Sequence, residues 1–170
     1  LQRLSRRVEA WLRGQGVGRG DRVGVLLSQS PLCAAAHIAA WRMGAISEPL
    51  FKLFQHDALA SRLGDSSSRA VVTDDEGAEM VAPFGLPTVT EDALPAPGVW
   101  PAVETGPEDP AVLIYTSGTT GKPKGALHGH RVLTGHLPGV EMSHDLLGQP
   151  GDVLWTPADW AWIGGLFDVL

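Results

Sequence analysis

The eleven residues from Tyr115 to Gly125 (YTSGTTGKPKG) combine hydroxyl groups, glycines and lysines in one short segment. Glycine lets a backbone approach a ligand closely and adopt unusual dihedral angles. Backbone amides and hydroxyls can then donate to anionic oxygens, while lysines supply countercharge. Each hydrogen bond to a charged group contributes about 1.5–3 kcal/mol. The segment therefore predicts a loop that binds a polyphosphate; the alternative is a Gly/Ser/Thr-rich hairpin without a ligand.

This segment differs from the Walker P-loop. The Walker motif needs G-x-x-x-x-G-K-[ST], whereas Gly118 and Gly121 are only three residues apart and Lys122 is followed by Pro123. Proline lacks an N–H group and is disfavoured inside a helix. Because an apolar run (111–114) comes directly before the loop and a short extended stretch follows it, we predict a loop that joins two strands.

Several segments of the chain resemble one known family. The run YTSGTTGKPKG is similar to the phosphate-binding signature of the adenylate-forming enzymes, which include acyl-CoA synthetases, aryl-CoA ligases, luciferases and the adenylation domains of peptide synthetases. Two upstream segments resemble the amino-terminal part of these enzymes: GDRVGVLLSQSPLCAAAHIAAWRMGAISEPLF and DALASRLGDSSSRAVVTD. A downstream segment, DVLWTPADWAWIGGL, resembles the acetyl-CoA and medium-chain acyl-CoA synthetase branch. The resemblance covers nearly the whole chain and is least distinctive from about Asp75 to Asp109.

The resemblance implies a reaction and a set of phosphate contacts. A carboxylate would attack the α-phosphorus of ATP to give an acyl-adenylate and pyrophosphate, and coenzyme A would then accept the acyl group, as in an AMP-forming acid–CoA ligase. ATP, Mg²⁺, coenzyme A and a small-molecule carboxylate are the implied cofactors and substrates. The residues that match the family's phosphate loop are Thr116, Ser117, Gly118, Thr119, Thr120 and Gly121, with Lys122 and Lys124 as added positive charge. Either lysine could instead be a solvated loop charge.

Candidate substrate contacts lie further along the chain. In the family, the region of His128 and His130 approaches the acyl pocket, so each could touch the substrate or order the site; we place both just past the second strand. Trp162 is the candidate for a contact near the acyl group. The remaining aromatic residues of this end are interpreted as core: Trp155, Trp160 and Phe167. No zinc site is predicted, because these histidines lack cysteine or acidic partners at ligand spacing.

The family's later motifs are not found in this chain. They include an acid that recognises the ribose, a glutamate that binds magnesium, a hinge and a lysine of the carboxy-terminal domain. We therefore name no catalytic residue here, and we expect an amino-terminal fragment that is inactive alone. Two alternatives stay open: an adenylation domain or acyl-AMP ligase that serves a carrier protein, and a non-catalytic nucleotide-binding relative.

Composition limits the partners. The chain has 170 residues and a formal charge of −6, which argues against bulk electrostatic binding to nucleic acid or to an anionic membrane. No stretch reaches the roughly 20 apolar residues of a membrane-spanning helix. The only cysteine, Cys33, lies in an apolar run and is interpreted as a buried thiol. We expect a cytoplasmic protein, and the oligomeric state stays open.

Alternating strand and helix signals predict an α/β fold with a mainly parallel sheet flanked by helices. We interpret it as a partial amino-terminal domain of the adenylate-forming fold. The predicted elements are a helix from Leu1, a strand at 22–27, a helix from Ser30 to about Met43, a strand at 45–50, a helix at 57–63 closed by Gly64, and a strand at 70–73.

The second half divides less clearly. Seven of the thirteen prolines fall between Pro83 and Pro110, which predicts an irregular connection. It could be a subdomain boundary or an ordinary long loop. We place a first α/β subdomain at 1–108 and the start of a nucleotide-binding subdomain at 109–170, with the phosphate loop at 115–125. The remaining predicted elements are a helix at 131–147, a strand at 153–155 and a helix from Trp160.

Overall fold

A computed structural model describes residues 1–116 and 123–167 of the chain. The elements in chain order are α1 (Gln2–Gly14), β1 (Arg22–Leu26), α2 (Pro31–Arg42), β2 (Ile46–Pro49), α3 (His56–Ser66), β3 (Ala70–Thr73), α4 (Asp75–Val81), β4 (Thr88–Val89), β5 (Pro110–Thr116), β6 (Lys124–Gly129), α5 (Arg131–Ser143) and α6 (Ile163–Phe167). Short 3₁₀ turns at Ala82–Phe84 and Glu91–Ala93 flank β4.

The described strands form one sheet in the order β4-β3-β1-β2-β5-β6. Every neighbouring pair from β4 to β5 is parallel, and β5 pairs with β6 in antiparallel orientation. Helix α2 connects β1 to β2 and packs on one face of the sheet. Helix α3 connects β2 to β3 and packs on the opposite face. The predicted α/β fold with a mainly parallel sheet flanked by helices is therefore confirmed.

Strands β1 and β3 send alternate side chains into two cores, as the two-residue repeat of a strand requires. The core that includes α1 and α2 contains Val23, Val25, Ala70 and Val72. The core that includes α3 and α4 contains Leu26 and Val71. A third cluster packs β5 against α6 and includes Trp41 and Trp160. The sheet is therefore covered on both faces in its centre.

Helix α2 begins where the sequence predicts. The backbone N–H of Cys33 donates to Ser30 Oγ at 3.1 Å, and Pro31 occupies the first turn, where a missing N–H costs nothing. Cys33 is buried, and burial, with the charge of Asp159, raises the pKa of its thiol to about 12. The predicted buried thiol is therefore confirmed.

Several element boundaries differ from the sequence predictions. Helix α3 continues through Gly64 to Ser66 and ends where Ser67 adopts a left-handed conformation with φ of 51°. The predicted strand at 153–155 is wrong, because these residues form no strand. The predicted helix from Trp160 begins three residues later, at Ile163. Within residues 1–116 and 123–167, no helix has the length and apolar composition of a membrane-spanning segment.

Candidate functional site

The predicted phosphate loop joins the two strands of the β5–β6 hairpin. Tyr115 pairs with Gly125 and Thr116 pairs with Lys124, so residues 117–123 connect the ends of the strands. This confirms the expectation of a strand after the loop. Because β5 runs parallel to β2, the loop leaves the sheet at the carboxyl ends of the parallel strands. In open α/β sheets, ligands bind outside this edge.

Two of the predicted phosphate contacts flank the loop in the described part of the chain. Thr116 and Lys124 are both exposed, and the Thr116 hydroxyl donates to the Lys124 carbonyl at 3.5 Å. Both residues are therefore available to a ligand at the loop. The other predicted contacts lie outside the described residues: Ser117, Gly118, Thr119, Thr120, Gly121 and Lys122.

A polar contact joins the hairpin to α3 beside the loop. The Tyr115 hydroxyl donates to Asp65 Oδ2 at 2.6 Å. Partial burial and this hydrogen bond raise the pKa of Tyr115, so the phenol stays protonated and keeps donating. The Arg62 guanidinium lies 4.0 Å from the Phe54 ring centroid and 5.9 Å from that of Tyr115. The last turns of α3 therefore approach the strand that leads into the loop.

A buried carboxyl group lies on the same face of the sheet, on β2. Glu48 is fully buried, and its Oε2 accepts hydrogen bonds from the Ser66 and Ser68 hydroxyls at 2.7 and 2.6 Å. Burial raises the pKa of Glu48 to about 7, although the two serines and the charges of Arg62 and Arg22 lower it. The other oxygen, Oε1, has no hydrogen-bond partner. Glu48 therefore titrates near neutral pH.

The end of the hairpin opposite the loop is held by separate contacts. Trp41 Nε1 donates to the Ala111 carbonyl at 3.0 Å, and Arg19 Nη2 pairs with Asp109 Oδ2 at 2.7 Å. A Cβ on Gly129 would lie 2.7 Å from the Pro107 carbonyl oxygen. Only glycine therefore permits this close backbone approach.

His128 and His130 lie towards that opposite end. His128 belongs to β6 itself, not to the segment just past it, and pairs with Val112. It lies four positions along β6 from Lys124, a rise of about 13 Å. His130 follows β6, and its Nε2 is buried without a hydrogen-bond partner. Burial lowers the pKa of His130, although Asp109 opposes the shift. The structure thus separates both histidines from the loop, and their substrate contact stays a prediction.

Trp162 lies at the carboxyl edge of the sheet. Its ring centroid is 6.2 Å from that of Phe51, which follows β2, and its side chain is 60% exposed. Gln29, just beyond β1, donates through Nε2 to the Ala158 carbonyl at 2.8 Å. Residues 158–162 therefore cross the carboxyl ends of β1 and β2, on the same edge as Thr116.

The interpretation of the other aromatic residues as core is partly confirmed. Phe167 is buried and Trp160 packs against two of the cores. Trp155 is 80% exposed, so the core prediction is wrong for this residue. The apolar character of a side chain does not by itself show whether another segment of the chain covers it.

The described residues contain no cluster of metal-ligating side chains. Within residues 1–116 and 123–167, no group of three or more His, Cys, Asp and Glu side chains is placed to hold one. No step is therefore assigned to a metal bound by these side chains.

Sequence reasoning missed the residues around Tyr115. Asp65 and Arg62 lie in a segment that carries the family resemblance, but Asp65 and Tyr115 are 50 positions apart. A contact of that sequence separation leaves no periodic signal. Glu48 was also missed, because a single acidic residue in a short strand does not show from the sequence whether it is buried or exposed at the edge of the sheet.

Comparisons with known proteins identify relatives of this chain. A family model described as "AMP-binding enzyme" matches residues 1–170. The acetyl-coenzyme A synthetase of Shewanella oneidensis is 33% identical over 192 aligned positions, which cover 91% of this chain and 29% of that protein. The chain thus spans less than a third of the length of this curated relative.

Solved structures show the same fold. The inhibitor-bound N-terminal domain of FACL13 from Mycobacterium tuberculosis superposes with a TM-score of 0.84 and 27% identity, covering 98% of this chain and 45% of that one. ATP-bound MatB from Rhodopseudomonas palustris has a TM-score of 0.80 and 27% identity, covering 98% of this chain and 35% of that one.

Proposed function

Because the chain belongs to the AMP-binding enzyme family, we propose that it forms part of an enzyme that activates a carboxylic acid with ATP and transfers the acyl group to coenzyme A. In the first step a carboxylate oxygen bonds to the α-phosphorus, the α–β phosphoanhydride bond breaks and pyrophosphate leaves. In the second step the sulfur of coenzyme A bonds to the acyl carbon and AMP leaves. Positioning and charge neutralisation account for most of such catalysis.

The observation that carries this proposal is the position of the signature loop. The run TSGTTGKPKG begins at Thr116, the last residue of β5, and its Lys124 and Gly125 begin the antiparallel strand β6, so its two described ends lie at the carboxyl edge of the parallel strands. Thr116 and Lys124 are exposed there. ATP in the bound structure of MatB, which shares this fold, supports a nucleotide as the ligand.

The substrate and its acceptor are the finer parts of the proposal. The relative in Shewanella oneidensis is an acetyl-coenzyme A synthetase, and the segment around Trp162 resembles the acetyl- and medium-chain branch. A short- or medium-chain acid with coenzyme A as acceptor is therefore proposed. A carrier protein as acceptor is the alternative, and a carrier domain in the same protein would favour it. A full-length protein without the later acidic and lysine positions would favour a non-catalytic nucleotide-binding module.

Four further assignments belong to the same proposal. Mg²⁺ would accompany ATP, held by groups outside the described side chains. The chain would comprise a first subdomain at 1–108 and the start of a nucleotide-binding subdomain at 109–170. The protein would be cytoplasmic, which cell fractionation tests. It would bind neither nucleic acid nor a membrane.

The test is carboxylate-dependent ATP–pyrophosphate exchange by the full-length protein. Replacing Thr119 and Lys124 together with alanine should raise the KM for ATP and reduce thioester formation, because donors and positive charge at the phosphates are lost. Each charge-assisted hydrogen bond contributes about 1.5–3 kcal/mol, so the loss of two should reduce kcat/KM for ATP by roughly 10²- to 10⁴-fold.

The matched control is Arg131→Ala. This exposed cation lies at the opposite end of the hairpin, where it pairs with Glu108, so its removal changes the charge equally without touching the loop. Unchanged ATP affinity and thioester output in the Thr119/Lys124 variant would overturn the proposal. Exchange activity together with acylation of a carrier protein in place of coenzyme A would support the alternative acceptor.

A further inference from the structure

The β5–β6 hairpin contacts the preceding part of the chain at both of its ends. At the end opposite the loop, Trp41 and Arg19 bind the Ala111 carbonyl and the Asp109 carboxylate. Near the loop, Tyr115 binds Asp65 of α3. Between them, Ser47 and Val112 form the backbone pair that joins β5 to β2. Tyr115 is three residues beyond this pair, so its side chain supports the part of β5 that leads into the loop.

The backbone opposite Tyr115 leaves space for its ring. Gly125 is the cross-strand partner of Tyr115. A Cβ at that position would lie 3.3 Å from Tyr115 Cζ and 2.9 Å from Leu113 Cδ1. The ring therefore packs over the backbone of the glycine that ends the loop signature. Its hydroxyl then reaches α3, where Arg62 approaches the same ring.

We propose that Tyr115 is a positioning residue that fixes the loop-side end of the β5–β6 hairpin to α3 through its hydrogen bond to Asp65. The inference rests on the proposed function, since the loop it positions is the proposed phosphate site. Thr116 directly follows Tyr115, and Lys124 pairs with Thr116. Moving the end of β5 would therefore move both groups relative to the carboxyl edge of the sheet.

The first test measures steady-state kinetics of the full-length protein with the variants Tyr115→Phe, Asp65→Asn and the double variant. Each variant removes or weakens one hydrogen bond without creating a cavity. The KM for ATP should rise about threefold to tenfold, while kcat and the KM for the carboxylate stay within about twofold. The double variant should match the single variants, because both act on one contact.

The control is Asp57→Asn. Asp57 is an exposed acid at the first turn of the same helix, and its removal changes the charge of α3 by the same amount as Asp65→Asn. It should leave the KM for ATP unchanged. An equal rise in the KM for Asp57→Asn and Asp65→Asn would show a general effect of charge and would overturn the proposal.

The second test does not depend on activity. Amide hydrogen exchange should become faster from Leu113 to Thr116 in the Tyr115→Phe and Asp65→Asn variants, while Ala111 and Val112, held by Trp41 and β2, stay protected. A merely general loss of stability would speed exchange along the whole strand. Unchanged exchange near Thr116 would overturn the proposed anchor.

The two tests separate the inference from the proposed function. If the wild-type protein shows no ATP–pyrophosphate exchange, the proposed function fails. The rate of amide hydrogen exchange alone then decides whether Tyr115 anchors the hairpin. If the wild type is active and the variants keep their KM for ATP, the function stands and the positioning role is overturned. A selective rise in the KM for ATP with local loss of protection supports both.

Discussion

Single buried residues show how burial changes their chemistry. Glu48 is buried beside α3, with one carboxyl oxygen bonded to two serines and the other unpartnered. Such a group keeps its proton to higher pH because ionisation without full solvation costs free energy. His37 shows the opposite sign: burial lowers its pKa to about 3. The two residues therefore make stability depend on pH in opposite directions.

The first prediction concerns Glu48→Gln. Between its ordinary pKa of 4.5 and its raised pKa of about 7, native Glu48 holds a proton that the unfolded chain has released, so the free energy of unfolding falls as pH rises. The variant lacks this loss. Between about pH 5 and about pH 8, the free energy of unfolding of the variant, measured in urea, should rise by roughly 2–3 kcal/mol relative to that of the wild type.

His37 is present in both proteins, so its titration cancels in that difference. Glu79→Gln is the control, because Glu79 is exposed on α4 and its replacement changes the charge of the chain by the same amount. Parallel pH profiles for wild type and Glu48→Gln would contradict the assignment of a raised pKa.

At the scale of elements, charged side chains connect helices that pack on the same face of the sheet. Glu9 of α1 is fully buried, and its two oxygens pair with Arg13 Nη2 at 2.9 Å and with Arg42 Nε of α2 at 3.1 Å. Both arginines keep part of their side chains in contact with solvent. The acid is thus paired on both sides, which is how a buried charge is retained.

The second prediction is that Glu9→Gln destabilises the packing of α1 on α2. Glutamine removes the negative charge and keeps only one acceptor oxygen, so its Nε2, which donates, faces one of the two guanidinium groups; the free energy of unfolding in urea should fall by about 1.5–3 kcal/mol. Arg3→Gln is the matched control, since Arg3 is exposed on the same helix and should change stability by less than about 0.5 kcal/mol. A loss no larger than that of the control would show that the buried pair contributes nothing.

At the scale of the whole molecule, the parts with strong local signals were predicted. The capping serine specified the start of α2. The alternation of strand and helix signals specified the mainly parallel sheet, and the loop signature specified the β5–β6 hairpin. Strand β4 was not predicted, because Thr88–Val89 is too short for a periodic pattern and is defined by its pairing with β3. The Tyr115–Asp65 contact was missed for the same reason: tertiary packing alone brings these residues together.

The third prediction concerns the 170-residue chain on its own. It spans 29% of the acetyl-coenzyme A synthetase it matches, so the chain alone should not complete the proposed reaction. In calorimetric titration it should bind ATP, and alanine at both Thr119 and Lys124 should weaken that binding. It should catalyse no carboxylate-dependent ATP–pyrophosphate exchange. Robust exchange by the chain alone would show that the later positions are unnecessary.

The strand order of the sheet also implies an order of assembly during translation. β1 lies at the centre, β2 and β3 add on either side of it, and β4 completes one edge, all within the first 89 residues. Ribosomes add about 5–20 residues per second, so Tyr115 is synthesised roughly one to five seconds after β4. Asp65 therefore belongs to a scaffold whose strands are already translated when the hairpin emerges. Because the hairpin pairs through β5 with β2, and with no later strand of the described sheet, it can be placed only against strands that precede it in the chain.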